Sequence, residues 1–101
     1  MAKSLEKKTA VIKIPQYRVM LLNDDTHSYE YVIQLLHEIF GFDENIAFQM
    51  AKSVDRDGRV AVYEGPLEHA EFKQLQIEAF GADPGIPASQ GPMTTELEAI
   101  K

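Results

Sequence analysis

The chain has 101 residues, 45% of them hydrophobic, enough for one domain with its own core and too few for a second. It has no cysteine, which excludes disulfides, thiolate metal sites and thiol catalysis and suits a reducing, cytoplasmic setting. The net charge of −6 is unevenly spread: Lys3, Lys7, Lys8 and Lys13 face only Glu6 near the start, and the rest is strongly acidic, a balance that repels nucleic acid and attracts cationic ligands.

The apolar runs are too short to cross a membrane, and the basic start MAKSLEKK leads into no apolar stretch of the secretory kind. Residues 1–15 show no clear periodicity and end at Pro15. The chain is therefore expected to divide into a flexible arm over 1–16 and a folded domain over 17–101.

Tyr17 to Leu22 (YRVMLL) predicts a strand with Tyr17, Val19 and Leu21 on one side and Met20 and Leu22 on the other. Asn23-Asp24-Asp25 breaks it. Ser28 is placed to cap a helix whose apolar stripe is Val32, Leu35, Leu36, Ile39 and Phe40, with Glu30 at its positive end and Gly41 as its stop. Asp43 caps a second helix with the stripe Ile46, Ala47, Met50, Ala51 and Val54, ending near Asp55-Arg56-Asp57-Gly58.

Arg59 to Glu64 predicts a second strand, and Pro66 opens a third helix over Leu67 to Phe80, stopped by Gly81. Residues 82–92 are a Pro- and Gly-rich loop, and Met93 to Ala99 a last strand. The order β-α-α-β-α-β predicts an α+β fold, a compact two-layer sandwich in which a three-stranded sheet packs against three helices.

No catalytic or metal set assembles from the rest. His37-Glu38 lacks the second histidine of a zinc helix, because Gly41 stands there. His37 and His69 fall on polar helix faces, no glycine-rich phosphate loop or nucleophile elbow occurs, and Asp55-Arg56-Asp57-Gly58 matches only a fragment of a calcium loop. No cofactor is expected. Acid–base chemistry by Asp24, Asp25 and Asp55 ranks low, because no nucleophile accompanies those carboxylates.

The informative run is Leu21 to Val32, LLNDDTHSYEYV, where an apolar strand end meets an amide, two carboxylates and a helix start. An Asx turn capping a helix explains such a run only in part, since one capping side chain suffices. Tyr17–Val32 (YRVMLLNDDTHSYEYV) resembles the signature of the ClpS family, the adaptors of the Clp protease. The likeness is colinear over 17–99, through Gly58-Arg59-Val60-Ala61, Glu68, Lys73 and Pro92-Met93.

The resemblance implies a function: recognition of N-degrons (a free protein N-terminus with a large hydrophobic first residue) and delivery to a Clp AAA+ unfoldase of the ClpA or ClpC type, which feeds ClpP. It places Asn23, Asp24 and Asp55 at the α-amino group, and Asp25 and His27 along the peptide backbone. Leu21, Tyr29, Val32, Ala51, Val54 and Met93 would line the side-chain pocket. Glu68 and Lys73 would lie on the unfoldase-docking face, with the N-terminal arm engaging the unfoldase channel. A monomer suffices for such a role.

The sequence departs from the family pattern at four of these places. Asp55 replaces a histidine, His27 a threonine, Tyr29 a gatekeeping methionine and Ala51 a second pocket methionine. Ala51 predicts room for large aromatics. The alternative reading is a Clp-binding regulatory module that has lost N-degron recognition.

Overall fold

A sheet needs one strand whose two edges are both paired, and β1 (Gln16–Leu22) supplies it. In the computed structural model, which describes residues 14–24, 26–86, 89 and 91–101, β1 lies between β2 (Arg59–Pro66) and β3 (Thr95–Ile100). Both pairings are antiparallel, giving the order β2-β1-β3. The helices are α1 (Tyr29–Phe40), α2 (Glu44–Asp57) and α3 (Leu67–Phe80). The predicted order β-α-α-β-α-β and the two-layer α+β architecture are the ones observed. The expected arm over residues 1–16 falls, for residues 1–13, outside the described residues.

Alternation along β1 decides which face is buried. Val19 and Leu21 are completely buried in the core, while Arg18 on the opposite face joins Glu64 of β2 and Glu98 of β3, its partners in the register. Arg59 reaches Glu96 and Glu98 on the same outer face. Exposed pairs of this kind add at most about 1 kcal/mol each. The buried face does more: Val19, Leu21, Tyr31, Val32, Leu35, Leu36, Ala47, Ala51, Val54, Val62, Ala70, Ile77 and Met93 form one continuous cluster.

The helix ends follow local chemistry. Ser28 Oγ accepts the Tyr31 N–H, and Asp43 Oδ1 accepts the Ile46 N–H at 2.9 Å. Gly58 ends α2 at φ 82°, a left-handed conformation that costs a side-chain-bearing residue energy.

Four boundaries differ from the sequence reading. β1 starts at Gln16, within the expected arm, and β3 runs on to Ile100, because those two residues pair with one another. β2 runs on to Pro66, because Tyr17 and Gln16 continue the ladder opposite Gly65 and Pro66. β3 begins at Thr95 rather than Met93, because its pairing with β1 stops at Leu21 opposite Thr95, leaving one bond from Leu22 N–H to Thr94 O beyond it. Met93 is thereby freed from the sheet and turns into the core.

Leu36 is fully enclosed, so Leu36→Ala is expected to lower unfolding free energy by about 2–5 kcal/mol without changing the fold, measured by urea denaturation.

Candidate functional site

The site forms where β1 runs out. Its last backbone bonds tie Leu22 to Thr94 and Asn23 to the carbonyl of Gly58 at 3.0 Å. Asn23, whose side chain is exposed, is thus pinned beside the last turn of α2, and Asp55 lies less than one turn from that pinning point.

The next residues fold back as an Asx turn. Asp24 Oδ1 accepts the Thr26 N–H and hydroxyl, each at 3.1 Å, and stands 2.7 Å from His27 Nδ1. Burial pushes the Asp24 carboxyl up, but the His27 and Thr26 hydrogen bonds and the His27 charge outweigh it and hold the group below its ordinary value. Asp24 therefore remains a carboxylate at neutral pH. Its other oxygen belongs to a side chain that is 26% exposed.

His27 faces inward. Its ring is 2% exposed, with Nε2 2.9 Å from the Gly91 carbonyl and the ring centroid 4.6 Å from that of Tyr31. The resemblance implies a place for His27 along a peptide; its ring lies between Asp24 and the Gly91 carbonyl. Asp25, the other residue implied there, lies outside the described residues.

Two residues that sequence reasoning passed over complete the brace. Asp83 is 5% exposed; Oδ2 accepts the Ser28 N–H and Oδ1 the Gly85 N–H, both at 2.8 Å. The Ser28 N–H is the main cause holding the Asp83 carboxyl below its ordinary value, against the effect of burial. Tyr31 donates its hydroxyl to the Gly81 carbonyl, and burial, with the charges of Asp83 and Asp24, pushes its phenol up to about 12. Asp83-Pro84-Gly85 carries an Asx-turn signature, but its bond to Ser28, 55 residues away, has no local signal.

Of the residues implied to line a side-chain pocket, Leu21, Val32, Ala51, Val54 and Met93 are all at most 5% exposed and belong to the one core cluster. Tyr29 is the exception at 38%. Its hydroxyl donates to Asp55 Oδ2 at 2.9 Å, and its ring meets Phe48 edge-on at 6.0 Å. That bond, then burial and the Asp55 charge, raise the Tyr29 phenol above its ordinary value. Arg56 is engaged with Asp57 at 2.9 and 3.0 Å, through Nε and Nη2.

The two α3 residues are placed differently from one another. Glu68 is exposed and borders a groove of about 560 Å³ with Ile14, Pro15, Tyr17, Pro66, Leu67 and His69. Lys73 folds onto the end of α1, donating to Ile39 O at 3.1 Å, with its ammonium 5.3 Å from the Phe40 ring centroid. Among the described residues no group of histidines and carboxylates is arranged to hold a metal ion, and no helix is long and apolar enough to cross a membrane.

Residues 13–89 match the family model described as ATP-dependent Clp protease adaptor protein ClpS. An ATP-dependent Clp protease adapter protein ClpS from Nautilia profundicola is 34% identical over 83 residues, 82% of this chain and 86% of its own. Its namesake from Ralstonia nicotianae is 41% identical over 56 residues, 54% of this chain and 52% of the relative. Agrobacterium tumefaciens ClpS2, solved bound to L-phenylalaninamide, superposes with a TM-score of 0.75 at 26% identity, over 87% of this chain and 100% of that one.

Asp83→Ala strands the Ser28 and Gly85 N–H groups and is expected to cost about 1–3 kcal/mol at pH 7. Because the folded-state carboxyl titrates below 3.8, its stabilisation is present above that pH and is lost as pH falls through the lowered value. The gap between wild type and variant in denaturation midpoint therefore narrows on going from pH 7 to pH 3.

Proposed function

The chain belongs to the ClpS family of Clp protease adaptors, and on that premise we propose that it binds N-degrons and delivers them to a Clp AAA+ unfoldase. It takes the part of an adaptor and not of an enzyme. The observation that supports the proposal is the Asn23 N–H held on the carbonyl of Gly58, which puts the end of β1, with Asn23 and Asp24, at the last turn of α2, three residues on from Asp55.

An α-ammonium group brings three donors and a full charge, and desolvating it without partners is costly. An amide oxygen and two carboxylates meet it with charge-assisted bonds, the strong kind. Enclosing a Phe- or Leu-sized side chain adds roughly 1.5–3 kcal/mol. Together these support micromolar affinity, about −8 kcal/mol. An internal peptide has no ammonium and would leave the acceptors unpaired, which is how a polar site rejects a wrong ligand. The ligand in the related ClpS2 structure, an amidated phenylalanine, fits this chemistry.

For delivery, the outer face of α3 is the proposed docking surface. Glu68, Phe72 and Leu75 follow at i, i+4 and i+7 and so share one face, with Phe72 58% and Leu75 59% exposed. Lys73, held on Ile39 and Phe40, fixes that helix against the end of α1. The Lys-rich segment at the start of the chain would engage the unfoldase channel. The adaptor acts as a cytoplasmic monomer.

A second reading, a Clp-binding module without degron recognition, draws on the bond between Tyr29 and Asp55, which occupies one of the acceptors. Fluorescence anisotropy with a Phe-starting peptide separates the two. The adaptor reading expects binding to the free N-terminus, loss on acetylation, and at least a tenfold loss, on the order expected for a lost charge-assisted bond, in Asn23→Ala with unchanged circular dichroism. No binding of either peptide establishes the module instead. Glu68→Lys is expected to weaken pull-down of a ClpA- or ClpC-type unfoldase while peptide affinity stays within about twofold, as for a distant, independent site.

A further inference from the structure

Along one face of α2, Phe48, Ala51 and Asp55 follow at i, i+3 and i+7, a spacing that sets side chains in a row. The middle residue is small and 3% exposed, while Phe48 is 41% exposed and Asp55 is exposed as well. Tyr29, the first residue of α1, touches both ends of the row. Its ring lies edge-on to Phe48, 6.0 Å between centroids, and its hydroxyl donates to Asp55 Oδ2 at 2.9 Å. Tyr29 thus bridges the two residues that flank Ala51 in the row. Val54 precedes Asp55 on α2, and Val32 lies one turn beyond Tyr29 on α1, both in the buried cluster.

From this arrangement we infer that Tyr29 is a latched lid that selects the first residue of the ligand, its hydroxyl holding Asp55 until an incoming α-ammonium group takes that carboxylate over. The inference rests on the degron-binding reading and deepens it. Both bonds to the Asp55 carboxylate are charge-assisted, but the phenol is a neutral donor, whereas an ammonium brings an opposite full charge and adds Coulomb attraction to the hydrogen bond. The exchange thus runs toward ligand when the terminus is free. A blocked or internal amine offers no such donor, so Asp55 stays with Tyr29 and the ring stays beside Phe48. Amine recognition and access to the apolar floor become one event. Once released, the Tyr29 ring, with Phe48 beside it, offers ring contacts to an aromatic first side chain that an aliphatic one cannot match.

The test is stopped-flow fluorescence on the full chain with dye-labelled peptides that start with Phe or Leu. Tyr29→Phe keeps the ring and removes the hydroxyl. Its association rate constant is expected to rise about three- to tenfold, the population otherwise held by one hydrogen bond, with dissociation changed by less than about twofold. Tyr29→Ala removes lid and ring together and is expected to lose the preference for Phe over Leu that Tyr29→Phe retains. An unchanged or lower association rate constant in Tyr29→Phe, with peptide bound by both proteins, overturns the latch and leaves the adaptor reading standing. Failure of wild type and both variants to bind the Phe-starting peptide overturns both.

Discussion

Everything at the candidate site depends on Asp24 being held as an ordered carboxylate at the end of a loop. A loop of six residues between a strand and a helix has no ladder to fix it, and a mobile carboxylate makes a poor partner for a ligand. Here three donors converge on Asp24 Oδ1, and one of them, His27, is enclosed between Asp24 and the Gly91 carbonyl. The loop is thereby fastened to a segment more than sixty residues away in sequence. Asp83 fastens it a second time through the Ser28 N–H, which also sets the start of α1. Such satisfied networks in partly buried ground rigidify strongly, because each member would be costly if left unpaired.

The brace and the apolar cluster divide the work. Burial of Leu21, Leu35, Leu36, Ile77 and Val19 supplies the stability that holds strand and helices together. The outer sheet face adds ion pairs such as Arg18–Glu64 that are too exposed to decide much. The polar turn sits at the border of the two regimes. Asp24, 26% exposed, is tied to the enclosed ring of His27 on one side and keeps part of its carboxylate in solvent on the other.

Much of this was legible in the sequence because its signals are local. Ser28 and Asp43 announce helix starts, Gly41 and Gly58 helix ends, and the period of Val32, Leu35, Leu36 and Ile39 marks a buried face; the helices lie where those residues put them. The three acidic or amide groups after Leu22 singled out the end of β1, and the family likeness supplies the ligand proposed for it. What stayed hidden was long-range. The bonds from Asp83 to Ser28, His27 to Gly91 and Lys73 to Ile39 join residues far apart in sequence, and no periodicity reports them. Met93 read as the first residue of a strand because it alternates with Thr95 and Leu97; only the register between β1 and β3, which stops at Leu21 opposite Thr95, shows that the ladder does not reach it.

Tyr29 and Ala51 show why residues in such a site have to be read together. Taken alone, a small Ala51 enlarges the space behind the polar turn, and a large Tyr29 at the start of α1 reduces it. Tyr29 reaches Phe48 and Asp55, which stand on either side of Ala51 along α2. The phenol also adds chemistry that size does not report, because its hydroxyl donates to the Asp55 carboxylate. A methionine at position 29 would have no donor for Asp55, and a histidine at position 55 would not offer the Tyr29 hydroxyl a carboxylate. The Tyr29–Asp55 bond exists only because both positions carry these residues, and size alone would have missed it.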